Sequence, residues 1–570
     1  MSNNAVKTSA SFIREAGILT LASFAVKIIG VVFKIPLTNI LGSGIGVFNA
    51  AYSIYAMLFM LSTSGLPVAV SRLVAASNER GRGVEAKRVA MLALVLFGLI
   101  GLLFTVLLIV FAPAISSGTG HAESAAAMRM IAPSLFFICV CASVRGYFQG
   151  LHNMYPTAIS QFIEAFFKMT VGLAAVTFAA SKGYSLAIQA ACAISGVTVG
   201  TFFGMIFIII YRKFSKKSVP NDEDKEKESD KKLLKLIVSV ALPVTLTAAA
   251  LYFSQFLDTL IIVNCLKASG VPEESAQTLF SAYTGLSVPL YDLLPATLVF
   301  PIATSILPSV SGALAVNKNK KAHFLTEQAL RVSGIIAVPC GVFLLVAGRS
   351  CITLLYGAAK WSGTIALANG KSVVPLDSAS NALVILAFAV FFISVVSTAN
   401  ALLNAYGKPQ LPFFAVLIGI AALTVSEIGL LYSPLGILGA PASSLICYLI
   451  VMFTDIFFLR KYCGVRLKIM GMFARPVLCG AVSAALTFVV YKLSTLAWSS
   501  LIGSDTDGRI PSFFILLVTG IALVIFYVAS VLIFKAIKED EVRLLPKGNY
   551  IADKLIKLGW LKKGEAITEE

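Results

Sequence analysis

The chain has 570 residues, of which 58% are hydrophobic and only 13% charged, with a mean hydropathy of +0.88. A soluble domain carries about 25% charged residues, so this composition excludes a water-facing globule and makes the bilayer the main solvent. The net charge of +18 raises nucleic acid as a partner, but the placement of the charges accounts for it without any.

A helix crossing about 30 Å of hydrocarbon needs about 20 mostly apolar residues. The sequence predicts an all-α polytopic membrane protein of about fourteen spans. They lie near 14–36, 47–70, 89–111, 127–149, 156–180, 185–211, 236–262, 279–312, 326–348, 380–405, 411–431, 436–460, 472–496 and 511–535. Lys27 and Lys34 interrupt the first apolar stretch, and no small-residue cleavage site stands out. The first span therefore reads as a retained helix rather than a signal peptide.

With both termini in the cytoplasm, 34 of the 46 Lys and Arg fall on the inner side and 7 on the outer. That excess is what the positive-inside rule expects for an even number of crossings of a cytoplasmic membrane. Trp361 and Trp498 read as interfacial aromatics on the outer side.

Residues 212–235 form a charge-dense segment that cannot bury a core of its own, so they read as a solvated cytoplasmic linker. The linker separates an N-lobe (1–211, spans 1–6) from a C-lobe (236–460, spans 7–12), followed by spans 13–14 (461–535) and a tail (536–570). GLPVAVSRLVAA (65–76) resembles VFPIATSILPSV (299–310), pairing Pro67 with Pro301 and Ser71 with Ser305. Pro156 pairs with Pro412 after spans 4 and 10. The expectation is two pseudo-symmetric six-helix lobes related by an axis along the membrane normal. For the tail segment 551–563, an amphipathic surface helix and a solvated tail are both open.

Prolines remove a backbone donor and kink a helix. Pro36, Pro67, Pro243, Pro289, Pro295, Pro301 and Pro308 lie in or at the ends of spans 1, 2, 7 and 8, the equivalent spans of the two lobes. Static kinks and the moving walls of a central cavity are both compatible with this; Gly30, Pro36, Pro67, Pro289 and Pro301 are the candidate hinges. Gly196, Gly200 and Gly204 in span 6 form a small face suited to close helix packing.

A charge at mid-bilayer costs about 2.5–3.5 kcal/mol on insertion scales. Lys27, Lys34, Arg145 and Lys168 all fall in the first lobe and are the candidate substrate-binding cations. Several cations together suit an anionic group such as phosphate. Glu164, four residues before Lys168, has the spacing of a helical ion pair. Asp258 and Asp292 supply acids to the second lobe. No metal or catalytic site is expected: the nine cysteines lack ligand spacing, the three histidines are scattered, and no paired acids or His–Asp motif argue for an enzyme.

KIIGVVFKIPLTNILGSGIG (27–46), GLPVAVSRLVAA (65–76), RGYFQGLHNMYPTAISQFIE (145–164) and LLNAYGKPQLP (402–412) resemble the multidrug/oligosaccharidyl-lipid/polysaccharide (MOP) exporter superfamily. Within it the chain is similar to the polysaccharide-biosynthesis branch, typified by stage V sporulation protein B and the Gram-positive lipid II flippases. The resemblance implies two six-helix bundles opening alternately to either side, with two added helices forming a groove for a polyprenyl tail. It also implies cationic headgroup contacts in the first helix. Lys27 matches one family arginine, the next falls at Phe33 beside Lys34, and the span 2 arginine has no counterpart in 47–66.

The expected function is a flippase for a polyprenyl-diphosphate-linked cell-wall precursor such as lipid II, serving peptidoglycan or polysaccharide biosynthesis. The expected partners are that glycan lipid, membrane lipid and a cell-wall synthesis complex. No cofactor is expected; no GxxxxGK[ST] motif is present, and membrane potential or a monovalent ion would drive transport. The rivals are a cation-coupled multidrug exporter of the same superfamily and an exporter of another lipid-linked polysaccharide unit.

Overall fold

The computed structural model describes residues 22, 24–215, 228–300, 310–314, 317–367, 371–467, 469–502, 507–537, 539, 553–554 and 556–557. It is almost entirely helical. Twelve stretches of described residues are long and apolar enough to cross a membrane. The first of them, Phe24–Glu79, takes in the first two expected spans, and the eighth expected span is broken into short pieces, so the count agrees with about fourteen crossings. Their exposed side chains are large and apolar, as at Leu99, Val110, Phe178 and Val524, which suits contact with lipid.

The chain divides into two compact units, Met1–Ala268 with Pro272–Ser281, and Ser269–Val271 with Ala282–Glu570. The first contains α1 (24–41), α2 (Ile45–Thr63), α3 (Leu66–Glu79), α4 (Gly83–Gly118), α5 (Ser124–Ile131), α6 (Pro133–Gly150), α7 (Tyr155–Ser181), α8 (Leu186–Phe214), α9 (Asp230–Ala268) and most of α10 (Glu273–Ala282). Helix α9, which the sequence placed at the head of the C-lobe, packs on α2 and α3 and so clusters with the first unit.

Span 2 is broken between α2 and α3 at Ser64–Gly65. The hydroxyls of Ser62, Thr63 and Ser64 turn back onto the carbonyls of Leu58, Phe59 and Met60, covering polar groups that lipid cannot. Pro67 sits in the first turn of α3, where its missing N–H costs nothing. A Cβ on Gly65 would lie 2.1 Å from the Ala241 carbonyl oxygen of α9, so only glycine permits this approach. Pro36 lies inside α1, and Gly30 on the same helix has no neighbour among the described residues within 4 Å of an added Cβ.

The second unit continues with α11 (Val288–Leu294), α12 (Asn319–Tyr356), α13 (Pro375–Ala405), α14 (Gln410–Leu431), α15 (Gly439–Cys463), α16 (Ile469–Ile502) and α17 (Arg509–Ile533). Two π-helical turns, Tyr283–Ser287 and Pro295–Val299, flank α11, with Pro289 in its first turn. Such turns re-space a helix by one residue and recur at functional positions. Pro301, Ser305 and Pro308 lie outside the described residues, as does most of 551–563, and the Pro243 side chain is likewise not described. Pro156 and Pro412, paired by sequence, both fall in the first turn of their helices.

The long loop after α12 carries a two-residue antiparallel hairpin, β1 (Ile365–Ala366) with β2 (Ser372–Val373). Trp361 in this loop is 1% exposed, not lipid-facing as expected; its backbone oxygen accepts from Leu376 N, which folds the loop over the ring. Trp498 is half-buried and stacks on Phe514 at 5.7 Å.

Candidate functional site

The first unit builds a cationic site from α1, α2 and α7. Phe33, Leu37 and Leu41 recur every fourth residue on α1 and are buried, which turns that face inward and brings Lys34 beside it. On α2, Phe48, Tyr52, Tyr55 and Phe59 form a ladder of rings with centroids 5.9, 5.6 and 5.8 Å apart. Phe33 joins its end at 6.4 Å from Phe48.

The two lysines sit against this ladder. Lys34 Nζ donates to Asn49 Oδ1 at 2.6 Å and lies 5.2 Å from the Phe48 ring. Lys168 Nζ, from α7, lies between Phe33 at 5.6 Å and Tyr52 at 5.1 Å. The ammonium groups are close enough to act on each other electrostatically. Among the described residues no carboxylate is within ion-pair distance of either. Ring faces attract cations by about 0.5–2 kcal/mol each, enough to place two lysines without neutralising them.

Arg145 and Glu164 are arranged differently from the sequence reading. Arg145 on α6 is buried; its Nη2 donates to Glu164 Oε2 at 3.0 Å and its Nε to Ser160 Oγ at 2.9 Å. Glu164 therefore pairs across helices with Arg145, and the expected Glu164–Lys168 helical pair is not formed. A guanidinium with two acceptors one turn apart offers a better geometry than a lysine along the same helix. Lys27, two turns before Lys34, is exposed.

The glycines of α8 hold α7 in place. A Cβ on Gly196 would lie 2.5 Å from the Lys168 carbonyl oxygen, and one on Gly200 2.4 Å from that of Glu164. At Gly204 the added atom would meet Ser160 O at 3.3 Å and Arg145 Nη2 at 3.9 Å. The small face expected from sequence is a packing seam, pressed against the turns that carry the site.

Of the three expected cavity acids, Glu164 is held by Arg145, and Asp258 and Asp292 fall in different units. Asp258 is half-buried on α9, beside Thr259, whose Oγ1 donates to Ser53 Oγ at 3.1 Å. Asp292 is half-buried on α11, between the π turns. Asn49 and the α2 rings were absent from the sequence reading; their one signal was the three- and four-residue spacing of aromatics in span 2.

The second unit has two further features. Arg349 of α12 donates to Asp507 Oδ1 at 3.2 Å and Oδ2 at 2.9 Å, and also to Asp377 Oδ1 of α13. An apolar groove of about 340 Å³ is lined by Val338 and Gly341 of α12, Phe388 and Phe391 of α13, and Val477 and Gly480 of α16. Tyr527 Oη of α17 donates to Ile335 O at 2.7 Å, tying α17 to α12.

A family model described as polysaccharide biosynthesis protein matches residues 12–313, more than half of the chain. The chain belongs to that family. This family member is 25% identical over 547 residues to stage V sporulation protein B of Bacillus subtilis (strain 168), covering 94% of the chain and 98% of that protein. It is 23% identical over 501 residues to the lipid II flippase MurJ of the same organism, covering 85% and 88%. A solved structure of lipid II flippase MurJ in an inward closed conformation superposes with a TM-score of 0.64 at 16% identity, covering 91% of this chain and 98% of that one. The family member is thus a multi-pass helical membrane protein of the polysaccharide biosynthesis family with the fold of the MurJ structure.

Proposed function

We propose that this family member is a flippase that moves a polyprenyl-diphosphate-linked cell-wall precursor, lipid II foremost, from the inner to the outer leaflet. The observation that carries the reading is the Lys34–Lys168 pair: two cations in membrane spans, placed by rings and one amide, with no carboxylate ion-paired to either among the described residues. A diphosphate is the ligand class that returns the most for two unneutralised ammonium groups in a low dielectric. One relative, named a lipid II flippase, supports the same substrate class.

In this reading the headgroup binds at the Lys34–Lys168 site of the first unit while the tail stays in lipid. The apolar groove of α12, α13 and α16 suits the tail. The termini are cytoplasmic, and an inside-negative potential favours outward movement of an anion by about 2.3 kcal/mol per charge per 100 mV. A multidrug exporter for organic cations would want an acidic site, which the Lys34–Lys168 pair opposes.

Purified protein in proteoliposomes carrying labelled lipid II in one leaflet tests the substrate. Label crossing faster than in protein-free vesicles supports it. Folded protein that moves no label under either polarity of membrane potential removes lipid II and leaves other polyprenyl-diphosphate glycans.

A further inference from the structure

Three side chains of α7 share one ridge, four residues apart: Ser160, Glu164 and Lys168. In an isolated helix Glu164 and Lys168 would pair, and a glutamate N-terminal to a lysine at this spacing is the favourable order. Pairing would cancel half of the positive charge beside the aromatic ladder. The fold prevents it, because Arg145 of α6 takes both Glu164 and Ser160, at 3.0 and 2.9 Å.

Arg145 reaches them through the glycine seam. Gly204 lies where its Nη2 passes, and Gly200 abuts the Glu164 backbone, so α8 offers no side chain to obstruct the guanidinium. Lys168, the third residue of the ridge, is left over Phe33 and Tyr52, and no acid ion-pairs with it among the described residues.

We infer that Arg145 is a positioning residue that sequesters Glu164, and thereby keeps the Lys168 ammonium free to bind an anionic diphosphate together with Lys34. Arg145 itself, committed to Glu164 and Ser160, does not touch the ligand. The inference rests on the anion-site reading proposed above and adds how the site keeps its charge.

The test is binding of farnesyl diphosphate to the purified full-length protein in detergent, with farnesol as the uncharged control. Arg145→Met frees Glu164 to pair with Lys168 and weakens binding by at least about tenfold, because one attraction between the ligand and an unpaired ammonium is lost. Arg145→Met/Glu164→Gln removes the competing acid and returns affinity to near wild type. Arg145→Lys keeps a cation for Glu164 and also stays near wild type, as does Glu164→Gln alone, which holds the question open to test should Arg145→Met fail to fold.

A double variant as weak as Arg145→Met, or a loss of binding on Glu164→Gln alone, overturns the role assigned to Arg145. Wild-type affinity unchanged by Lys34→Met/Lys168→Met overturns the anion site itself, and the inference with it. The two failures are distinguished by which pair of variants is silent.

Discussion

Each lysine of the site would cost about 2.5–3.5 kcal/mol in bare hydrocarbon. Ring faces and the Asn49 amide offset much of that without supplying a negative charge. Asn49→Leu removes the acceptor of Lys34 and is expected to destabilise by about 2 kcal/mol, the range for a hydrogen bond to a charged group, seen as a lowered Tm in detergent. His121, in the loop 119–123 between α4 and α5, is a separate case. It is 1% exposed, its ring lies 4.8 Å from Phe280, and among the described residues neither ring nitrogen has a hydrogen-bond partner. Burial pushes its pKa down from 6.5 to about 4, outweighing the opposing pull of Glu273. The unfolded chain therefore binds a proton at about pH 6.5 that the folded one refuses until about pH 4. Stability from this residue is complete above pH 6.5 and is lost as pH falls through that window, by on the order of 3 kcal/mol. The Tm of His121→Phe is expected to fall less between pH 7 and pH 4.5 than that of the wild type; equal falls would show that His121 does not titrate there.

The glycine seam sets the spacing of α7 and α8. Gly200→Val forces a side chain into the Glu164 carbonyl and is expected to cost about 1–3 kcal/mol. Gly429→Ala on α14, with no described residue within 4 Å of the added carbon, is expected to be neutral in the same thermal assay. At this scale most of the fold was legible in the sequence, because runs of about 20 apolar residues leave the chain no alternative to helices. The seam at 196, 200 and 204 was legible for the same reason: four-residue periodicity has one meaning on a helix. The π turns were not, since Pro289 and Pro295 announce a disturbance without giving its register. Nor was the Arg145–Glu164 pair. Local spacing favoured Lys168, and only the crossing of α6 and α7, a tertiary fact, decides between the two partners. The packing of α9 with the first unit was hidden likewise, because a charge-dense stretch of sequence does not say where the next helix docks.

In the second unit, Arg349 gathers Asp377 and Asp507, so one guanidinium links α12, the start of α13 and the segment entering α17. Arg349→Met leaves two carboxylates facing one another and is expected to speed amide hydrogen exchange at 507–512 while leaving α15 unchanged. For the whole molecule, the family and the MurJ-like fold frame the flippase proposal, and the Lys34–Lys168 pair in the first unit is what that proposal rests on for the chemistry of its substrate. The most direct test of that pairing is lipid II translocation in proteoliposomes by two double variants at equal reconstitution. Lys34→Arg/Lys168→Arg, which keeps both charges, is expected to retain most of the wild-type rate, and Lys34→Met/Lys168→Met to lose at least about tenfold. A methionine double variant that translocates at the wild-type rate would contradict the account.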